Sequence, residues 1–172
     1  MVEYENPRIY NPYRGNAVYC REPEEVIYDE STELAYLRYR WVEDRRRKPR
    51  TLTDRGQAVV AIDGACRGNG TVDARAAYGV YFGPDSSLNA YGLLPWDERQ
   101  TSQNAEIYAA RIALDCIEDL EVEGVTIITD SSYLVKGMTE HIHEWLENDF
   151  CSSGRTCRIV NADGMRSLNE AI

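Results

Sequence analysis

Apolar and polar positions change their period several times along this chain, and the changes mark its elements. Ala58-Val-Val-Ala-Ile62 is an unbroken apolar run that stops at Asp63 and passes into the glycine-rich stretch Gly64 to Gly70, the pattern of a buried central strand ending at the rim of a sheet. Further strands are expected near 76–83 and 88–94. From Thr101 to Leu120 the spacing is helical. At about 100° per residue, Asn104, Arg111, Asp115, Glu118 and Asp119 collect on one side, and Ala110, Ala113, Cys116, Ile117 and Leu120 on the other. Val125 to Asp130 is a second apolar run that stops at an acid. Leu134, Met138, Ile142 and Trp145 follow it at helical spacing. Val160 to Ile172 predicts the start of another amphipathic helix, with Met165, Leu168 and Ile172 on one stripe.

Residues 1–50 differ from the rest, with seven tyrosines (Tyr4, Tyr10, Tyr13, Tyr19, Tyr28, Tyr36 and Tyr39) and no consistent period before Ser31. An irregular extension is expected there. From Thr32 to about Arg47 a short helix is expected, capped by Ser31, with Leu34, Leu37 and Trp41 on one stripe. The run Arg45-Arg-Arg-Lys-Pro-Arg50 reads equally as a nucleic-acid-holding patch or nuclear address and as a solvated linker. The division expected is therefore an extension over 1–50 and a domain over 51–172.

If the strands at 58–66, 76–83 and 88–94 form an antiparallel meander, the helix at 101–121 is a crossover to a parallel strand at 124–129. Asp63 and Asp130 then end parallel strands, and the first turn of the crossover helix returns to the same edge, where open α/β sheets place their sites. Alone, Asp63 reads as a turn residue and Asp130 as a helix cap, although Ser131 and Ser132 can cap equally well. Glu106 falls in the middle of the apolar side of its helix. An acid serving only the helix dipole would do so from the solvent face, whereas a carboxylate turned toward a core must be protonated, paired or on a metal.

Four segments in order, Asp63-Gly-Ala-Cys-Arg-Gly-Asn69, Tyr78-Gly-Val-Tyr-Phe82, Gln103-Asn-Ala-Glu-Ile-Tyr-Ala-Ala110 and Thr129-Asp-Ser-Ser-Tyr-Leu-Val135, resemble type 1 ribonuclease H, as do Ile142-His-Glu-Trp145 and Val160-Asn-Ala-Asp163. The resemblance covers Ala58 to Ile172. It implies a ribonuclease H-like α/β fold: a mixed sheet with an antiparallel meander, then parallel strands, and helices on its faces. It also implies hydrolysis of the RNA strand of RNA–DNA hybrids. Asp63, Glu106 and Asp130 would be the catalytic metal ligands, for two Mg²⁺ or Mn²⁺ ions; oxygen donors suit such hard cations, and two of them can hold the attacking and leaving oxygens. Asn69, Ser102 and Gln103 stand where the family reads the RNA strand, and Thr101 where it holds a DNA phosphate. Their local alternatives are a turn residue, helix caps and plain surface. The family's last strand, a histidine-bearing loop and a last helix with a fourth Asp have no counterpart before Ile172. A weak or inactive form is therefore one expectation, and an exposed sheet edge open to a protein partner or a second copy is another. The competing reading is a degenerate module that binds nucleic acid or protein without cutting.

Charge complicates the substrate. Residues 51–172 hold 19 acidic and 9 basic residues, so the formal charge of -10 lies wholly there, opposing a polyanion unless cations or the basic run offset it. No apolar run suits a membrane helix, and no signal peptide is evident, so an intracellular protein, cytoplasmic or nuclear, is expected. The five cysteines, at 20, 66, 116, 151 and 157, contain no Cys-x-x-Cys pair and are expected reduced. His141 and His143, two apart on a helix, point in different directions and make no zinc site.

Overall fold

Eighteen consecutive residues, Arg50–Arg67, form one strand, β3, around which a six-stranded sheet is assembled. The computed structural model describes residues 8–9, 20–42, 50–151 and 157–172; the basic run at 45–49 and most of the tyrosine-rich start lie outside them. Three strands pair with β3. Along one edge, β2 (Leu34–Val42) runs antiparallel as far as Val59, and β4 (Arg75–Tyr81) takes over antiparallel from Ala61. Along the other edge β6 (Gly124–Ile128) runs parallel, Gln57 to Ala61 facing Gly124 to Ile128. β5 (Ala90–Leu93) pairs antiparallel with β4, completing the expected meander.

Helix α1 (Ser102–Ile117) makes the crossover between β5 and β6. Its inner face is built from Ala105, Ala109, Ala110 and Ala113, all fully buried, so the helix lies close against Val60, Ile62 and Val80 of the sheet. Removing that apolar surface from water is the main stabilising term for this layer. A second helical run follows β6 in three contiguous pieces: α2 (Ser132–Lys136), a π-helical turn (Gly137–His141) and α3 (Ile142–Glu147). Leu134, Met138 and Ile142 are buried as their spacing predicts. The last helix, α4 (Ala162–Glu170), buries Met165 and Leu168 in the same core, whereas Ile172 lies beyond it and is exposed.

Where a helix is expected over 32–47, residues 34–42 form strand β2 and 43–47 lie outside the described residues, and part of the extension expected to be irregular is a strand too. β1 (Cys20–Asp29) and β2 form an antiparallel hairpin laid on β3. Leu34 and Tyr36 enter the main core, while Ala35, Leu37 and Tyr39 form a separate buried cluster with Val59. A strand buried on both faces reads as an apolar run, which a helical stripe also fits. Ser31 caps no helix; its N–H and hydroxyl donate to the Asp29 carboxylate at 2.9 and 2.6 Å in the hairpin turn. Asn104, expected on the polar side of α1, is also buried. The segment before the helix folds back over it, and the Asn104 amide donates to Glu98 Oε2 at 3.1 Å and the Arg99 carbonyl at 3.0 Å.

Candidate active site

Each of the three acids is delivered by a different element to one end of the sheet. Asp63 lies on β3 opposite Gly79 of β4, Asp130 follows β6, and Glu106 sits in the first turns of α1. The contact that joins them is Gly64. A Cβ there would lie 2.3 Å from the Glu106 backbone nitrogen and 2.6 Å from the Ala105 carbonyl carbon, so only glycine lets α1 settle on the strand at this point. One carboxylate oxygen from each of Asp63, Glu106 and Asp130 then lies within 4.8 Å of the others.

Glu106 is 6% exposed, while Asp63 and Asp130 open to solvent, so the cluster has a buried floor and an accessible mouth. Burial first, then the charges of Asp63 and Asp130, push the Glu106 carboxyl above its usual range. The Gly64 N–H and the Thr129 hydroxyl oppose this by donating to its carboxylate, Thr129 Oγ1 to Glu106 Oε2 at 3.3 Å. Thr129 is itself oriented by accepting the Ser131 N–H at 3.0 Å. Ser131, not Asp130, caps α2, its hydroxyl accepting the Leu134 N–H at 3.3 Å, so Asp130 remains free for the cluster. Among the described residues no Lys or Arg forms an ion pair with any of the three acids. Three convergent carboxylates without a cationic partner fit a hard divalent ion, which takes oxygen donors and offsets their repulsion.

The other candidates occupy their local roles. Asn69 is exposed in the turn after β3, between Gly68 at φ 66° and Gly70 at φ 84°. Thr101 is the N-cap of α1, its hydroxyl accepting the Asn104 N–H at 3.2 Å. Ser102 is half-buried and Gln103 exposed in the first turn. Sequence reasoning missed Gly64, Thr129 and Asn161. The only hint of Gly64 was a glycine directly after a strand-end acid. Asn161 precedes α4 in the left-handed region, φ 63°, and both polar atoms of its side chain are buried without a hydrogen bond of good geometry, although its amide lies near enough to the Tyr133 hydroxyl to affect it. Burial raises the pKa of the Tyr133 hydroxyl overall, although the Arg99 charge also favours its ionised form.

Fold and site together define an α/β protein that gathers three carboxylates at one end of its sheet. The family model for RNase H matches residues 55–172, and the chain belongs to that family. It is 36% identical over 113 residues to Ribonuclease H1 of Rattus norvegicus, covering 65% of this chain and 38% of that protein. To Ribonuclease H1 of Homo sapiens it is 38% identical over 110 residues, covering 64% and 37%. The chain thus spans about two fifths of the length of these curated relatives. Among solved structures, the crystal structure of LC9-RNase H1, a type 1 RNase H with the type 2 active-site motif, superposes with a TM-score of 0.54 at 22% identity, over 69% of this chain and 58% of that one, which supports the fold. No helix of the described residues is long and apolar enough to cross a membrane.

Proposed function

We propose that this chain is a metal-dependent endonuclease that hydrolyses the RNA strand of RNA–DNA hybrids. The convergence of Asp63, Glu106 and Asp130 carries the proposal. These residues would hold the ions, and Mg²⁺ or Mn²⁺ matches the donor set. Bound there, divalent ions supply charge neutralisation for an in-line displacement at phosphorus and an acidified water as nucleophile. The protein's own work is positioning. Gly64 and Thr129 hold Glu106 by its carboxylate oxygens, and the exposed Asp63 and Asp130 leave the mouth open to a phosphodiester.

RNA is told from DNA by its 2'-hydroxyl. Asn69, Ser102 and Gln103 are proposed to contact the RNA strand, the first from the turn beyond Asp63 and the others from the turn of α1 that carries Glu106. Thr101 is proposed to meet a phosphate of the DNA strand from the N-cap of α1. The unit doing this work is residues 51–172, with the hairpin of the extension bracing β3. A reducing cytoplasmic or nuclear compartment is part of the proposal, in keeping with Cys66, Cys116, Cys151 and Cys157 being free thiols. The test is Mg²⁺-dependent nicking of an end-labelled hybrid. Product from the wild type and none from Asp63→Asn is expected; equal product from both, or none from either at any metal concentration, would refute it.

A further inference from the structure

Beyond the carboxylates, the loop before α1 carries an exposed aromatic ring beside two arginines. Trp96 is 77% exposed, and the Arg75 guanidinium lies 3.8 Å from the centre of its ring. The loop carrying it is firmly tied. Leu94 N–H donates to the Ala76 carbonyl at 2.9 Å, and Gln100 reaches back to accept the Ala76 N–H at 2.9 Å while donating to the carbonyls of Pro95 and Glu98 at 2.8 and 2.9 Å. A large aromatic ring on a rigid loop, mostly in water, gains little for the fold itself.

The surroundings favour a polyanion. Arg75 lies directly opposite Arg67 across β3 and β4, a like-charge cross-strand pair that weakens the sheet. Both are exposed, and Arg67 has no ion-pair partner among the described residues. Glu98, the neighbouring acid, is turned to Asn104 and Arg111, while Asp97 stays in solvent. Along β3 exposure alternates from Asp63 through Ala65 to Arg67, so the acid and the arginine share one open face about 13 Å apart along the strand.

We propose that Trp96, held by Arg75 and next to Arg67, is a stacking platform for an unpaired stretch of nucleic acid flanking the duplex that the carboxylates engage. The inference rests on the nuclease reading of that site. An unpaired base offers a free face to the indole, while the arginines meet its phosphates, a combination that tolerates any sequence. A paired duplex offers no such face except at its end.

The test measures affinity by fluorescence anisotropy in EDTA, where nothing is cut, for a short blunt hybrid, the same hybrid with a single-stranded DNA extension, and the single strand alone. The wild type is expected to bind the extended hybrid more tightly than the blunt one. Trp96→Ala should remove about 5- to 100-fold of affinity for the extended hybrid and the single strand. Trp96→Phe should keep most of it, and neither change should alter cleavage of the blunt hybrid. Arg67→Ala should lower the salt slope for the single strand by about one. Wild-type affinity of Trp96→Ala for both extended and single-stranded probes would overturn the platform and leave the nuclease reading standing. Trp96-dependent binding of single strands without Mg²⁺-dependent nicking of the blunt hybrid would uphold the platform and overturn that reading.

Discussion

Replacing Glu106 by Gln should stabilise the metal-free protein while removing its metal chemistry. Two unit charges 4.8 Å apart repel by about 1 kcal/mol in bulk water and about 3.5 kcal/mol at the effective dielectric found near protein surfaces. Glu106 faces two such charges and is itself buried, but Asp63 and Asp130 are exposed and screened, and the bonds from Thr129 and Gly64 repay part of the cost. A glutamine keeps an acceptor oxygen for those donors and adds an N–H₂ toward the acids. The net gain expected in EDTA is about 1–3 kcal/mol, or roughly 2–4 °C for each kcal/mol in a chain of this size. The pH dependence has a definite sign. Glu106 titrates above its ordinary 4.5 in the folded state, so the stability linked to its proton is complete below 4.5 and is lost as pH rises through the folded value. The variant should therefore match the wild type in acid and exceed it at pH near 8. Urea melts across that range in EDTA, repeated with Mg²⁺, are the assay. Mg²⁺ should raise the wild type and barely move the variant. A Glu106→Gln protein less stable than wild type at alkaline pH in EDTA would refute the reasoning, since the carboxylate would then be a stabilising group.

Gly64→Ala should cost about 1–3 kcal/mol in denaturant melts and lower nicking further than that loss explains, because α1 must lift from β3 and carry Glu106 away; unchanged melts would mean the contact is loose. Thr129→Val should weaken divalent-ion affinity about tenfold, with recovery in Thr129→Ser, read by calorimetry; equal affinity in Val and Ser variants would dismiss the hydroxyl. Asp29 is held at a pKa of about 2, below its ordinary 3.8, first by the Ser31 hydroxyl and then by Arg55 and the Ser31 N–H. Its contribution is therefore present above 3.8 and lost as pH falls through about 2, so Asp29→Asn should melt earlier at neutral pH with the gap closing in acid; a gap that persists at the lowest pH would contradict this.

The site was legible in the sequence because each acid interrupts an apolar pattern. Asp63 and Asp130 end apolar runs, and Glu106 sits where an alanine-faced helix should carry no charge. The meander, the crossover and the parallel β3–β6 pair followed from where those runs stop. The β1–β2 hairpin was hidden because β2 is buried on both faces and loses the alternation that marks a strand. Gly64 and Thr129 escaped notice for a different reason. Their roles are a backbone approach and a 3.3 Å bond between residues 23 positions apart, and no local pattern encodes either. Asn104 went astray because face assignments assume a helix whose first turn is uncovered, and here the preceding loop returns over it.

The central claim is that three carboxylates on separate elements form one divalent-ion site, and titrating Mg²⁺ and then Mn²⁺ into the protein by calorimetry tests it most directly. The account predicts saturable binding of both ions in the wild type and its loss in Asp63→Asn. Identical isotherms for the two proteins would contradict it.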